Sequence, residues 1–369
     1  MPGFLVNASL RPKAVAAPSA DAAAFHVGLP GWAETPVREL DGVAAELGLA
    51  GVALKDESDR LGLPAFKVLG ASWAIERALR DAPGTRTLVA ASAGNHGRAV
   101  ARVAAMRGLA CRVFVPERSA VARRDAIAAE GAEVIAVDAP YEVAVARAAE
   151  AGREPGALEI ADVGESGPAH WVIDGYHTLF AEAAVQASFG AVLVPAGVGS
   201  LAAAAARFGA LAGRAVIAVE PETAACVTAS LAAGAPAAVP TPGTSMAGMD
   251  CAEISPAAWP SLRDGLLGTV TVSDEDSAAA MRELGALGLT IGDCGAATLA
   301  ALRALMTEPA GAELREAAGL GPRARVLLVA TEGVTDPAGY AAATAAAPVG
   351  AAEARRGGQA GMGSSASAP

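Results

Sequence analysis

The chain has 369 residues, 53% hydrophobic and only 4% aromatic, with a formal net charge of −11; this length allows one large or two ordinary domains around a buried core. The acidic balance and the lack of any Lys/Arg block argue against a nucleic-acid partner, which needs a basic surface. No segment reads as a membrane span, because the longest apolar stretch, near 191–211, is broken by Pro195, Gly197, Gly199 and Arg207.

Residues 1–20 are Ala/Pro-rich and aperiodic, so a flexible tail is expected there. They lack the charged start and unbroken apolar core of a secretory signal, which makes a cytoplasmic protein the expectation. Short apolar runs then alternate with helical patterns. Strands are expected at TLVAAS (87–92), CRVFVP (111–116), EVIAV (133–137), AVLVPAG (191–197), AVIAVEP (215–221) and RVLLVATEG (325–333). Each is continuously apolar, as a strand covered on both faces should be. Helices are expected over 97–107, 119–130, 141–152, 176–188, 199–212 and 295–307. The alternation gives an α/β fold of parallel sheets, with ligands at the carboxyl ends of strands. The chain ends in low-complexity sequence, RRGGQAGMGSSASAP, and 346–369 is expected as a second flexible tail. Cys111, Cys226, Cys251 and Cys294 form no CxxC pair and are expected as reduced thiols. Four scattered histidines show no ligand spacing, so no metal is expected.

Four segments carry candidate chemistry. In LGLPAFKVLGASWAIERAL (61–79), Lys67 sits among apolar residues and opens a helical pattern. Desolvation there is expected to lower its pKa and free the lone pair for imine chemistry; alone, such a lysine more often lies along the surface. The loop Ser92-Ala93-Gly94-Asn95-His96-Gly97 follows a strand and opens a helix, a natural anion site. His96 is expected in a supporting polar role rather than as a base. Ala196-Gly197-Val198-Gly199-Ser200 repeats that strand-to-helix context and could cradle one phosphate through backbone N–H groups. It has neither a Walker ending nor full GxGxxG spacing. Thr331, in Ala330-Thr331-Glu332-Gly333, offers a neutral hydroxyl at the end of the last strand.

Taken together, KDES (55–58), AFKVLG (65–70), SAGNHG (92–97) and AGVGS (196–200) resemble the fold type II pyridoxal-phosphate (PLP) enzymes. FHVGLPGWAETPVREL (25–40), WVIDGYHTL (171–179), VEP (219–221), SMAGMDCAEISPAAW (245–259) and TEGVTDP (331–337) narrow the resemblance to diaminopropionate ammonia-lyases, over about 25–345. The resemblance implies two doubly wound parallel-sheet domains with the cofactor in the cleft between them. The large domain would be 21–80 with 188–345, the small one 81–187, and the assembly a homodimer. It implies that Lys67 holds PLP as a Schiff base and takes the substrate proton. Asn95 would bond the cofactor's phenolic oxygen, and Ala196, Gly197, Val198, Gly199 and Ser200 its phosphate. Thr331 would face the pyridine nitrogen. Ser92, Ala93, Gly94 and Asn95 would receive the substrate carboxylate, and Asp162, in EIADVG, would lie near the substrate amine.

The activity implied is β-elimination from L-2,3-diaminopropionate or a related β-substituted L-amino acid, giving pyruvate and ammonia; the cofactor does the difficult chemistry. A neutral hydroxyl at the pyridine leaves the ring a weaker electron sink, which favours elimination over transamination. Two positions depart from the family: Ala93 stands where an aspartate commonly serves the D-substrate, and Val334 where an acidic residue is frequent. The SAGNH form is similar instead to threonine and serine dehydratases. A dehydratase-like lyase, a β-replacement synthase and a non-catalytic PLP-binding protein are the alternative readings.

Overall fold

The computed structural model describes residues 2–345. The tail expected at 346–369 lies outside the described residues.

Among the described residues, eleven strands form two sheets. They are β1 (Gly3–Val6), β2 (Val37–Glu39), β3 (Gly51–Asp56), β4 (Thr87–Ala91), β5 (Ala110–Pro116), β6 (Glu133–Val137), β7 (Ala157–Glu159), β8 (Ala191–Pro195), β9 (Ala215–Pro221), β10 (Gly268–Val272) and β11 (Arg325–Ala330). The larger sheet has the order β1-β10-β9-β8-β11-β3-β2, the smaller β6-β5-β4-β7. All pairs in the smaller sheet are parallel, as are the inner pairs of the larger one. Helices cover both faces of the larger sheet, so β8 is buried at every residue and reads as an unbroken apolar run. Its edges depart from the parallel expectation: β1 runs antiparallel to β10, and β2 to β3.

The N-terminal expectation is corrected here. Residues 3–6 are an edge strand, with Gly3 opposite Thr271 and Val6 opposite Gly268. The segment is then pinned by the Asn7 Nδ2, which donates to the carbonyls of Arg263 (2.8 Å) and Leu266 (2.7 Å), and by Arg11 on Asp264 (2.7 Å). Four residues are too few to show periodicity, and these partners lie more than 250 positions away.

The strand β3 was also hidden, because Lys55 and Asp56 interrupt its apolar pattern. Both are buried. Buried charges require partners, and the Lys55 Nζ donates to Glu182 Oε2 (2.7 Å) and to the Thr35 carbonyl (2.6 Å). Arg60 pairs with Glu57 (2.6 Å) and Glu182 (2.7 Å), which ties the chain between β3 and Lys67 to the helix Pro168–Gln186.

That helix starts eight residues before the expected 176, where Pro168 follows Gly167 and occupies the first turn without cost. It crosses the helix Val68–Asp81 at glycines: a Cβ on Gly175 would meet Leu69 O at 2.5 Å, and one on Gly70 the Tyr176 ring at 2.5 Å. The close crossing seats Tyr176 against Phe66, with ring centroids 4.7 Å apart. The largest core cluster runs through this crossing and joins the two sheets, while a second packs the helix Asp293–Thr307 on the other face of the larger sheet.

Candidate active site

The loops after β4, β8 and β11 lie at the carboxyl ends of parallel strands, where an α/β fold presents ligands. Lys67 joins them because the chain before it pairs with the end of β11. Phe66 N donates to Thr331 O (3.2 Å), and Gly333 N to Pro64 O (3.1 Å). Lys67 immediately precedes the helix Val68–Asp81.

The Lys67 Nζ donates to Asp162 Oδ2 at 3.2 Å, and its ammonium lies 5.8 Å from the centre of the Tyr176 ring. Burial pushes the Lys67 pKa down, but the Tyr176 oxygen and the Asp162 carboxylate push it up further, and the net direction is up. This reverses the expectation of a depressed pKa, which considered desolvation without the partner that the fold supplies. Burial likewise opposes the charge of Asp162, yet His96 and Lys67 hold its pKa down at about 2. The His96 Nε2–H donates to the carbonyl of Ile160 (2.8 Å), leaving Nδ1 at 3.8 Å from Asp162 Oδ2 without a hydrogen bond. His96 thus stands behind Asp162 with its Nε2 committed to the backbone.

Ser200 begins the helix Ser200–Ala212 and its hydroxyl donates to the Asp162 carbonyl (3.3 Å), which joins the glycine-rich turn to the Lys67–Asp162 pair. Gly199 has φ +89°, a conformation that favours glycine, and a Cβ there would also strike Leu262 at 2.6 Å. The Ala196 N–H is spent on Val219 O (2.8 Å), so Ala196 offers no donor to an anion. The N–H groups of Gly197, Gly199 and Ser200 donate to no acceptor among the described residues, while that of Val198 is turned to the Cys251 sulfur. Three free donors at the start of a 13-residue helix suit a phosphate, in charge and in hydrogen bonding.

A cavity of about 210 Å³ lies beside this cluster, with Ala93, Gly94 and Asn95 on its wall opposite Gly248, Asp293 and Glu332. Its wall does not include Lys67, Asp162 or the Gly197–Ser200 turn. Asn95 is the first residue of the helix Asn95–Met106, and Ser92 Oγ accepts from Gly94 N (3.2 Å). Thr331 is buried, and its hydroxyl donates to Glu332 Oε2 at 2.6 Å. Two residues had no role in the sequence reading although their motifs were noted. Tyr176 is fully buried beside Lys67, and burial pushes its pKa up to about 12. Glu332 is buried too, and burial raises it to about 7.

The profile of the pyridoxal-phosphate dependent enzymes matches residues 29–332, most of the chain. This protein belongs to that family. The chain is 33% identical to the diaminopropionate ammonia-lyase of Escherichia coli (strain K12), over 86% of this chain and 88% of that protein. The crystal structure of the Escherichia coli diaminopropionate ammonia-lyase in complex with an aminoacrylate-PLP azomethine reaction intermediate superposes with a TM-score of 0.85. It is 30% identical, and the match covers 93% of this chain and 97% of that one. The biosynthetic L-threonine dehydratase of Salmonella typhimurium is 30% identical over 68% of this chain and 48% of that protein. As a member of the family this enzyme takes PLP as its cofactor. The free donors of Gly197, Gly199 and Ser200 and the amine of Lys67 fit that group.

Proposed function

We propose that this PLP enzyme is a β-eliminating ammonia-lyase acting on L-2,3-diaminopropionate or a related β-substituted L-amino acid, releasing pyruvate and ammonia. The observation that carries the reading is the Lys67–Asp162 pair at 3.2 Å, set beside a turn with three free N–H donors. PLP, when bound, supplies the electron sink that makes the substrate's Cα–H acidic and lets the β substituent leave. Lys67 anchors the cofactor, and its amine takes the Cα proton. Asp162, ionised throughout the neutral range, holds that proton on the amine and accepts from a β-ammonium group. Gly197, Val198, Gly199 and Ser200 bind the phosphate through their amides. Asn95 meets the phenolic oxygen and Thr331 the pyridine nitrogen. Ser92, Ala93, Gly94 and Asn95 form the turn for the substrate carboxylate, next to the cavity.

Ala93 also favours a second reading, a serine or threonine dehydratase-like lyase, since it removes the acidic side chain common in the diaminopropionate enzymes. The test is a panel of L-2,3-diaminopropionate, L-serine and L-threonine assayed for keto acid and ammonia, with and without added thiol. Diaminopropionate as the best substrate by kcat/KM supports the first reading; preference for the hydroxy amino acids favours the second. A thiol adduct in place of keto acid overturns both in favour of β-replacement. The same proposal includes a large domain of 21–80 with 188–345, a small domain of 81–187, a homodimer and a cytoplasmic location. No helix among the described residues is long and apolar enough to cross a membrane.

A further inference from the structure

We propose that Glu332 governs the protonation of the cofactor's pyridine nitrogen through Thr331, with the carboxyl, the hydroxyl and that nitrogen sharing one proton. The inference rests on the reading above that Thr331 faces the nitrogen. A hydroxyl has one proton to donate and otherwise only lone pairs. The Thr331 hydroxyl donates to Glu332 Oε2 at 2.6 Å, so its proton is already committed. Toward any other partner it is an acceptor, and a ring nitrogen beside it must carry the proton itself. The alternative arrangement has the same number of protons. When Glu332 is protonated, its O–H donates to Thr331, and the hydroxyl is released to donate to a bare nitrogen. One proton moves along the chain of three groups, and no covalent bond other than O–H or N–H changes.

The carboxyl is held in place for this exchange. Glu332 Oε1 accepts from Gly295 N (2.9 Å), the Glu332 carbonyl accepts from Gly292 N (2.9 Å), and Ala65 bridges it from the Lys67 side. Asp293 and Cys294 also face it, each offering a polar atom within 4.8 Å of the Glu332 oxygens and of one another. Burial first, and the Asp293 charge second, raise Glu332 to about 7, close to where a shared proton is most readily redistributed. Burial raises the pKa of Asp293 in turn; hydrogen bonds with Cys294 and the Arg123 charge favour its ionised form, and Asp274 opposes it. A threonine hydroxyl alone would leave the ring unprotonated; the fold places a carboxyl behind Thr331.

The experiment is NMR of the holoenzyme loaded with PLP isotopically labelled at the ring nitrogen, recorded across the neutral pH range. In the wild type the nitrogen resonance is expected toward its protonated position and to move with pH. Glu332→Gln should shift it to the unprotonated position and abolish the pH dependence. Thr331→Val, of the same shape without a hydroxyl, should do the same, whereas Thr331→Ser should match the wild type. A resonance in Glu332→Gln or Thr331→Val that matches the wild type overturns the proposal. If Glu332→Gln does not fold or load, Thr331→Val decides alone. Borohydride reduction followed by mass analysis of each protein separates the two levels. Cofactor fixed on Lys67 with an unmoved resonance overturns only the proton sharing, whereas absence of label on Lys67 in the wild type overturns the site beneath it.

Discussion

Lys67 draws its chemistry from its partner. Asp162 comes from a different sheet connection, and only the folded chain brings the two to 3.2 Å. Replacing Lys67 with Ala should remove the visible absorbance of the bound cofactor and lower turnover by roughly a thousandfold or more, within the range expected for loss of a positioned proton-transfer group. Retention of both, measured by absorbance and pyruvate release, would refute the role. Ala93 carries a stereochemical expectation. The Cα–H bonds of L- and D-substrates point to opposite faces of the cofactor plane, and the D-isomer needs a base across from Lys67. Ala93 lines the cavity and has no titratable group, so the L-enantiomer should be strongly preferred. Ala93→Asp should introduce measurable D-activity, and comparable wild-type rates on both enantiomers would contradict the assignment. Lys67, Asp162, Asn95 and the turn at 197–200 were legible as motif residues. The direction of the Lys67 pKa, the spent amide of Ala196 and the carboxyl behind Thr331 were not, since each depends on a neighbour remote in sequence or on a hydrogen bond that sequence does not display.

Continuous apolar runs were the readable elements. The run AVIAVEP is β9, residue for residue, and EVIAV is β6. Elements whose pattern is broken by paired charge, by threonine or by brevity escaped: β3 with its buried Lys55, β10 with Thr269 and Thr271 alternating with its valines, and β1 and β2 at the edges. The antiparallel edges could not be foreseen from alternation, which describes only strands joined by crossovers. The helix crossing at Gly70 and Gly175 gives a test at this scale. Gly175→Ala places a methyl 2.5 Å from the Leu69 carbonyl, one residue from Gly70 and two from Lys67. Overpacking of this kind costs about 3 kcal/mol, and the displaced helix should also lower affinity for the cofactor. Urea unfolding and PLP titration measure the two effects; an unchanged midpoint would mean that the crossing yields freely.

At the scale of the whole molecule, His26 is a junction among three helices. Its ring hydrogen-bonds the Thr178 hydroxyl (2.8 Å), the Leu69 carbonyl (2.9 Å) and the Ser72 hydroxyl (3.1 Å). Burial lowers its pKa from 6.5 to about 4. Between those values the unfolded chain binds a proton there that the folded chain does not, so the stabilisation is complete above pH 6.5 and is lost as pH falls toward 4. At 1.36 kcal/mol per unit this amounts to about 3 kcal/mol. His26→Gln should flatten the fall in unfolding free energy between neutral and mildly acidic pH; an equally steep fall in the variant would place the acid sensitivity elsewhere.

The short strand β1 also determines which surface the larger sheet turns to its surroundings. With residues 3–6 in place, the outer N–H and C=O groups of β10 are engaged, and the row left outermost is only four residues long. Deleting residues 2–6 would leave β10, a buried five-residue strand of Gly, Thr and Val, as an open template for another chain. The first symptom of such trimming should be concentration-dependent self-association, visible by light scattering, while Lys67 and its partners remain intact. A full-length protein that scatters as strongly as the trimmed one would show that the edge was never protected.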